Sequence, residues 1–319
     1  MNLSELTDKV LAGYDVTREE ALELADYEDI DALCDAADAI REALVGRKVD
    51  SCSIVNARSG LCGEDCRWCA QATRHHTGCK TYNTIELSEV MKAARENEKA
   101  GIQRFSLVTS GKRVNDHDMP AFLSIYKHLA RETNLYLCAS MGLISEEQLC
   151  SLRDAGVKRY HCNLETSSSF FPRLCTTHTT EEKKETIRAA KRAGLKVCSG
   201  GIIGMGETMA DRIDLALELR ELDVDSVPIN ILNPIPGTPL ENQPLISEEE
   251  VIRTVAVFRF LLPAKTLRFA GGRARLSKES TARILRGGMN GALMGDMLTS
   301  IGNQVAEDKK LFAECGLEH

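Results

Sequence analysis

The sequence predicts an α/β fold, a TIM-type (β/α)8 barrel preceded by a helical extension, and three observations carry that prediction. From about residue 50 onward, eight short β-like runs alternate with helical patterns, the arrangement that builds a parallel sheet. The chain has 319 residues, long for one small domain and within the range of such barrels. A dense cluster of cysteines follows the first of these runs, at the strand end where barrels of this kind carry their chemistry.

Residues 1–48 read as the helical extension. Thr17-Arg18-Glu19-Glu20 has the capping-box pattern, in which a threonine oxygen and a glutamate carboxylate satisfy each other's free amides. Ile30, Leu33, Ala37, Ile40 and Leu44 recur at three- and four-residue spacing and predict an amphipathic helix with one face on the barrel. Cys34, beside that face, reads as a small buried hydrophobe. The barrel is expected over residues 49–304. Its strands are predicted near Ser51–Val55, Arg104–Val108, Leu135–Ser140 and Arg159–Leu164, then Lys196–Gly200, Ser226–Ile231, Thr266–Ala270 and Ala292–Met294. Helices are expected at Leu87–Ala100, Glu181–Ala193, Met209–Leu222 and Glu248–Phe260. Residues 305–319 read as a polar, mobile tail.

Lys and Arg total 40 against 47 Asp and Glu, with no basic block, which argues against nucleic acid as a partner. No apolar run is long enough to span a bilayer and the N-terminus lacks a signal-peptide pattern, so the expected location is cytoplasmic, with no membrane partner. In that compartment twelve cysteines point to metal or redox chemistry rather than to disulfides.

Cys62-Gly63-Glu64-Asp65-Cys66-Arg67-Trp68-Cys69 places three thiols in a CxxxCxxC spacing, with no fourth cysteine at matching distance. Three thiolates on a four-iron cubane leave one iron open, which S-adenosylmethionine (SAM) can chelate before an electron from the cluster cleaves its sulfonium. Trp68 is suited to pack beside the cluster or the adenosine. This spacing is similar to the signature of the radical-SAM superfamily, and a zinc knuckle is the weaker reading because zinc ribbons pair two-residue knuckles.

Other predicted strand ends carry further candidates. Thr109-Ser110-Gly111 offers groups to the methionine amine, and Glu165 a carboxylate for the ribose hydroxyls or that amine. Lys183 is a candidate partner for a carboxylate. Gly200 through Glu207 form a glycine-rich run, read either as a site of close ligand approach or as a structural turn, with Glu207 capping the next helix. Asn163 and Asn230 present planar amides suited to a neutral urea-like edge, or else tie loops together. Cys138 and Cys198 lie on separate strands and Cys175 follows the fourth; together with Arg268 they are read as converging on a second cluster. Cys52, Cys150, Cys162 and Cys315 read as inert buried thiols, and Cys79 as a reserve ligand.

Taken together, Ser59 through Gln71, Asn163-Leu164-Glu165-Thr166, Val197-Cys198-Ser199-Gly200-Gly201, Ser226-Val227-Pro228-Ile229-Asn230 and Arg268 with Gly271-Gly272-Arg273 resemble the biotin synthase family over nearly the whole chain. The resemblance implies a radical-SAM barrel that inserts sulfur into dethiobiotin, with methionine and 5′-deoxyadenosine as by-products. It also implies an auxiliary iron–sulfur cluster as sulfur donor, a reducing flavodoxin- or ferredoxin-type electron donor, and a homodimer. Asn163 and Asn230 then hold the ureido ring. The family's usual auxiliary set is three cysteines and an arginine; Cys138, Cys198 and Arg268 match, but Ser106 stands at the remaining position, and a serine is a poor soft-metal ligand. Cys175 is therefore expected to replace it, giving a four-iron cluster with an extra sulfide beside Arg268. Another radical-SAM enzyme, of the hydrogenase-cofactor maturase or amino-acid mutase type, and a non-catalytic cluster carrier are the alternatives.

Overall fold

The computed structural model describes residues 1–295 and 305–319, so the expected barrel boundary at residue 304 lies outside the described residues. The chain opens with α1 (Leu3–Leu11), α2 (Arg18–Ala25) and α3 (Ile30–Leu44). There follow β1 (Asp50–Arg58), α4 (Leu87–Lys99), β2 (Arg104–Thr109), α5 (Met119–Glu132), β3 (Tyr136–Ser140), α6 (Glu146–Asp154) and β4 (Arg159–His161). The second half runs α7 (Thr180–Arg192), β5 (Lys196–Cys198), β6 (Gly201–Ile203), α8 (Met209–Glu221), β7 (Ser226–Ile231), α9 (Glu248–Leu261), β8 (Thr266–Phe269), α10 (Lys278–Arg286), β9 (Gly291–Leu293) and α11 (Val305–Glu314).

Side-chain caps set where the helices begin. Thr17 and Glu20 form the predicted capping box at α2, and Ser145, Thr179 and Thr208 do the same work for α6, α7 and α8. In α3 the predicted stripe buries Leu33, Ala37 and Ile40, with Cys34 buried beside it, while Leu44 is exposed at the helix end. The extension packs on α8 and α9, and Arg18 pairs with Asp214 of α8 at 2.6 Å.

The strands form one all-parallel ring, in the order β5-β4-β3-β2-β1-β9-β8-β7-β6, with β5 also pairing β7. Thus β5 and β6 are two halves of a single stave, and eight staves close the barrel. The predicted fifth strand, Lys196–Gly200, is therefore broken at Ser199 and Gly200 and resumes through Ile203. Neighbouring backbone forces the break. A Cβ on Gly200 would lie 2.0 Å from the Pro228 carbonyl oxygen, and one on Gly201 would lie 2.4 Å from that of Glu165. These glycines serve the close approach of staves and the run is not a simple turn after the strand. Glu207 is not the helix cap either: Thr208 caps α8, and the Glu207 carboxylate accepts from the amides of Gly204 and Met205 and pairs with buried Arg212 at 2.6 Å. The fourth strand stops at His161, short of the predicted Leu164, because the chain turns there toward the left-handed backbone of Glu165 (φ 77°).

The expected polar, mobile tail is instead a packed helix. In α11, Phe312 and Asp308 are buried, and Asp308 pairs with buried Arg273, which also donates to the Leu293 carbonyl at 2.9 Å. Beyond the helix, Leu317 is buried, the Val49 amide donates to Glu318 O at 2.7 Å, and the Glu318 amide donates to Arg47 O. The polar surface residues of this stretch mask apolar anchors, Val305, Leu311, Phe312, Cys315 and Leu317, which seat it on the core. No helix among the described residues is long and apolar enough to cross a membrane.

Candidate functional site

A cavity of about 360 Å³ runs down the barrel axis from the C-terminal strand ends. Cys62, Cys66 and Cys69 line its mouth. The loop that carries them leaves β1 and folds back on itself: the Cys62 amide donates to Gln71 O, and the Thr73 amide to Cys62 O at 2.8 Å. Gln71 Oε1 accepts from the Gly60 amide, and Ser110 Oγ donates to Gly60 O at 2.6 Å, fixing the loop to the end of β2. Burial pushes the Cys62 thiol up, while the amides of Glu64 and Gly111 point at its sulfur and favour the thiolate. Burial also raises Cys69, to about 11. Amides aimed at sulfur in a site with three thiols suit an anionic iron–sulfur group.

The cavity wall brings together most of the predicted strand-end residues: Trp68, Thr109, Asn163, Glu165, Lys183 and Asn230. Trp68 packs edge-on against Phe171, with ring centroids 6.4 Å apart. Thr109 Oγ1 is buried without a hydrogen-bond partner. The positive φ of Glu165 is locked by its amide donating to Gly200 O at 3.0 Å and its carbonyl accepting from the Ile202 amide at 2.8 Å. A non-glycine residue held there is strained, and its Oε2 is buried and unpartnered. Burial pushes the Glu165 carboxyl up to about 7, against the pull of Lys183 and His178. Lys183 Nζ donates to Asn163 O at 3.0 Å. Asn163 Oδ1 accepts from the Gly200 amide, and Asn230 bridges two glycines, donating to Gly201 O at 3.1 Å and accepting from the Gly271 amide at 2.9 Å. Both asparagines thus tie strand ends together while lining the cavity.

Deeper in the barrel lies a second set of thiols. Cys52, Cys138 and Cys198 are each the third residue of β1, β3 and β5, so alternate staves send one thiol into a single layer. Arg268 is the third residue of β8 and donates to Asp50 O at 2.8 Å and Ala292 O at 3.1 Å. The Cys138 thiol donates a hydrogen bond to Cys52 and brings it down to about 7, while burial pushes Cys138 itself up. Burial works against the Arg268 charge, but Asp50, then Cys52 and Cys198, hold it above its ordinary range. Arg104 pairs with Asp50 at 2.6 Å and lies 4.1 Å over the Tyr136 ring. Burial, then Arg159, Arg268 and Arg104, lower His161 to about 3, so its ring is neutral. Ser106 Oγ, His161 Nε2, Arg104 Nη1, Arg268 Nε, and Nε and Nη1 of Arg159 are all buried without partners. Three arginines against one aspartate, with so many idle donors, make a floor completed by a buried anionic group. Three thiols and this charge fit a second iron–sulfur cluster.

Cys52, expected to be an inert buried thiol, is buried, and the structure places it in the same layer as Cys138 and Cys198. Its signal was parity: it occupies the same strand position as Cys138 and Cys198. Cys175 does not join that layer. Its sulfur lies 3.7 Å from Cys66 Sγ, at the outer side of the mouth, because Asp65 clamps the loop after β4 by accepting from the amides of Thr176 (2.9 Å) and Thr177 (3.2 Å). Cys79 sits outside the cavity against Ser59, 3.6 Å away, and is no ligand of the floor.

Residues 58–219 match the Radical SAM superfamily and residues 228–318 match the Biotin and Thiamin Synthesis associated domain. The chain is 47% identical over 316 residues to a biotin synthase of Parabacteroides distasonis, covering 99% of this chain and 97% of that one. A biotin synthase of Clostridium botulinum (strain Loch Maree / Type A3) is 49% identical over 317 residues, with 99% of both chains covered. Among solved structures, methylornithine synthase superposes with a TM-score of 0.85 at 19% identity, over 98% of this chain and 96% of that one. The [FeFe]-hydrogenase maturase HydG gives 0.83 at 15% identity, over 99% of this chain and 74% of that one. The last two likenesses are of fold.

Proposed function

The chain belongs to the biotin synthase family of radical-SAM sulfurtransferases, and from that premise we propose how its residues divide the work on dethiobiotin. The observation that carries the reading is one cavity with a thiol triad at its mouth and, at its floor, Cys52 and Cys198 beside Arg268, with Cys138 behind them hydrogen-bonded to Cys52. Cys62, Cys66 and Cys69 hold the SAM-binding four-iron cluster; Cys52, Cys138 and Cys198 hold the auxiliary one, a four-iron cluster with an extra sulfide beside Arg268. When bound, the first supplies the electron that cleaves SAM to methionine and a 5′-deoxyadenosyl radical, and the second supplies the sulfur.

Between the two, Trp68 covers the adenosine, and Thr109 and Glu165 accept the hydrogen bonds of the methionine amine and the ribose. Lys183 holds the Asn163 backbone in place and offsets the charge of Glu165. Asn163 and Asn230 present their remaining amide hydrogens and lone pairs to the ureido ring, which needs both donors and acceptors on one planar edge. The buried arginines neutralise the anionic auxiliary cluster. The same reading takes a reduced flavodoxin- or ferredoxin-type protein as electron donor, a homodimer as the assembly, and the cytoplasm as location, the last supported by twelve unbridged cysteines.

The test is Mössbauer spectroscopy on anaerobically reconstituted protein, with iron, sulfide and biotin measured on the same sample. The reading expects two four-iron signals and dethiobiotin-dependent biotin in the native chain. Cys52→Ala should lose the auxiliary signal and biotin formation while still cleaving SAM, and Cys175→Ala should retain the auxiliary signal. The reverse pattern between these two variants overturns the ligand assignment.

A further inference from the structure

Cys66 has a second set of neighbours outside the cluster motif. Cys66, Cys175 and His178 place one ligand atom each within 4.8 Å of one another. The two sulfurs are 3.7 Å apart, and Cys175 Sγ lies 3.4 Å from Nδ1 and 3.9 Å from Nε2 of His178. A tetrahedral ion with bonds of about 2.3 Å to sulfur and about 2.0 Å to nitrogen sets its ligands about 3.5–3.8 Å apart. The two Cys175 pairs stand close to that spacing, and Cys66 and His178 lie within 4.8 Å of each other, so a small shift brings all three onto one ion.

Glu64 Oε2 accepts from His178 Nδ1 at 2.5 Å, the carboxylate–histidine arrangement that fixes the tautomer and leaves Nε2 free for a metal. Cys175 Sγ donates to Asp65 Oδ1 at 3.2 Å, but most of the docking of the two loops does not pass through that sulfur. Asp65 docks them through Thr176 and Thr177, and the Arg67 amide donates to Leu174 O at 3.0 Å. An outer cleft of about 450 Å³, lined by Cys175 and His178, leads to the triad from outside the barrel, and His178 also lines the central cavity. An ion can thus reach Cys175 and His178 without crossing the substrate space.

We propose that Cys66, Cys175 and His178 form a separate mononuclear site for a divalent, borderline-soft transition-metal ion such as ferrous iron or zinc, filled when Cys66 carries no cluster. A thiolate pair with one imidazole selects such ions over magnesium or calcium. The site stands on the triad's own geometry. Its exclusion by the cluster rests on the proposed role of Cys66 as a cluster ligand, and the two are tested apart.

Cobalt(II) is the probe for the site, titrated anaerobically into the full chain carrying Cys62→Ala and Cys69→Ala, which cannot build the motif cluster but keeps the triad. One equivalent should bind with thiolate-to-cobalt charge-transfer absorption and the strong ligand-field bands of four-coordinate cobalt, and zinc should displace it. Adding Cys175→Ser or His178→Gln should weaken binding at least tenfold, while circular dichroism and melting stay unchanged. Cobalt held by the floor thiols does not respond to His178→Gln, so unchanged affinity in both added variants overturns the site. In the native chain, one equivalent of zinc should delay appearance of the cluster's visible absorption during reconstitution, and Cys175→Ser should remove the delay. A delay of the same size in both chains overturns the exclusion.

Discussion

Glu165 shows how a single side chain couples strain, charge and position. Its carbonyl and amide are committed to Ile202 and Gly200, so the left-handed backbone is imposed by neighbouring strand ends and the carboxylate is driven into the cavity. Because burial raises its folded value to about 7, above the unfolded one, the cluster-free chain loses stability as pH climbs from the ordinary glutamate range toward 7 and is level beyond it. Melting curves at about pH 5 and about pH 8 check this: the native chain should lose several degrees between them and Glu165→Gln much less. Asp50 works in the opposite sense. Burial opposes its charge, yet Arg268 and Arg104 hold its carboxyl far below the usual range, so its contribution is present at neutral pH and lost in acid. Asp50→Asn should therefore lower the melting temperature at neutral pH and flatten the acid limb of stability. At this scale the motif cysteines and Glu165 were legible because local spacing and strand ends announce them. Cys52 and Cys175 were not, because the parity that marks Cys52 shows only when exact strand bounds are compared across three strands, and the position of Cys175 depends on the Asp65 clamp, which no local pattern displays.

At the level of elements, the fifth stave is where backbone rather than side chains shapes the site. Strand β5 ends at Cys198, the chain steps over Ser199 and Gly200, and β6 resumes beside β7, which puts Cys198 at the floor and the Gly200 amide against Asn163. Gly200→Ala drives a methyl group into the Pro228 carbonyl and should cost about 1–3 kcal/mol, read as a lower midpoint in chemical denaturation of the cluster-free chain. The helices were readable from their apolar stripes and from Thr17. The broken stave was not, since three-residue strands interrupted by glycine leave too short a pattern, and here the packing of staves four, five and six decides the conformation.

For the whole molecule, ring closure depends on residues distant in sequence. Strand β9 pairs with β1 through Asp50, Ser51 and Cys52, and the seam is held from outside by Arg273, Asp308 and the backbone exchange between Glu318 and the Arg47–Val49 segment. Arg273 and Asp308 are both almost fully buried, so removing one leaves a buried charge without its partner. Asp308→Ala should destabilise the chain by about 3–5 kcal/mol in chemical denaturation, whereas Arg273→Met with Asp308→Leu should recover much of that loss. Eight alternating βα units made the barrel legible. The tail's role was hidden because a few apolar residues scattered among many charges read as solvent-facing until the partner surface is known. The seam also imposes a timetable on synthesis. The first stave emerges from the ribosome long before the segment that locks it, so Cys52 and the motif cysteines leave the ribosome before residues 305–318 can close the seam over them. Iron delivered during translation meets all these thiols at once, and iron delivered afterwards meets a finished ring that reaches its floor only through the mouth.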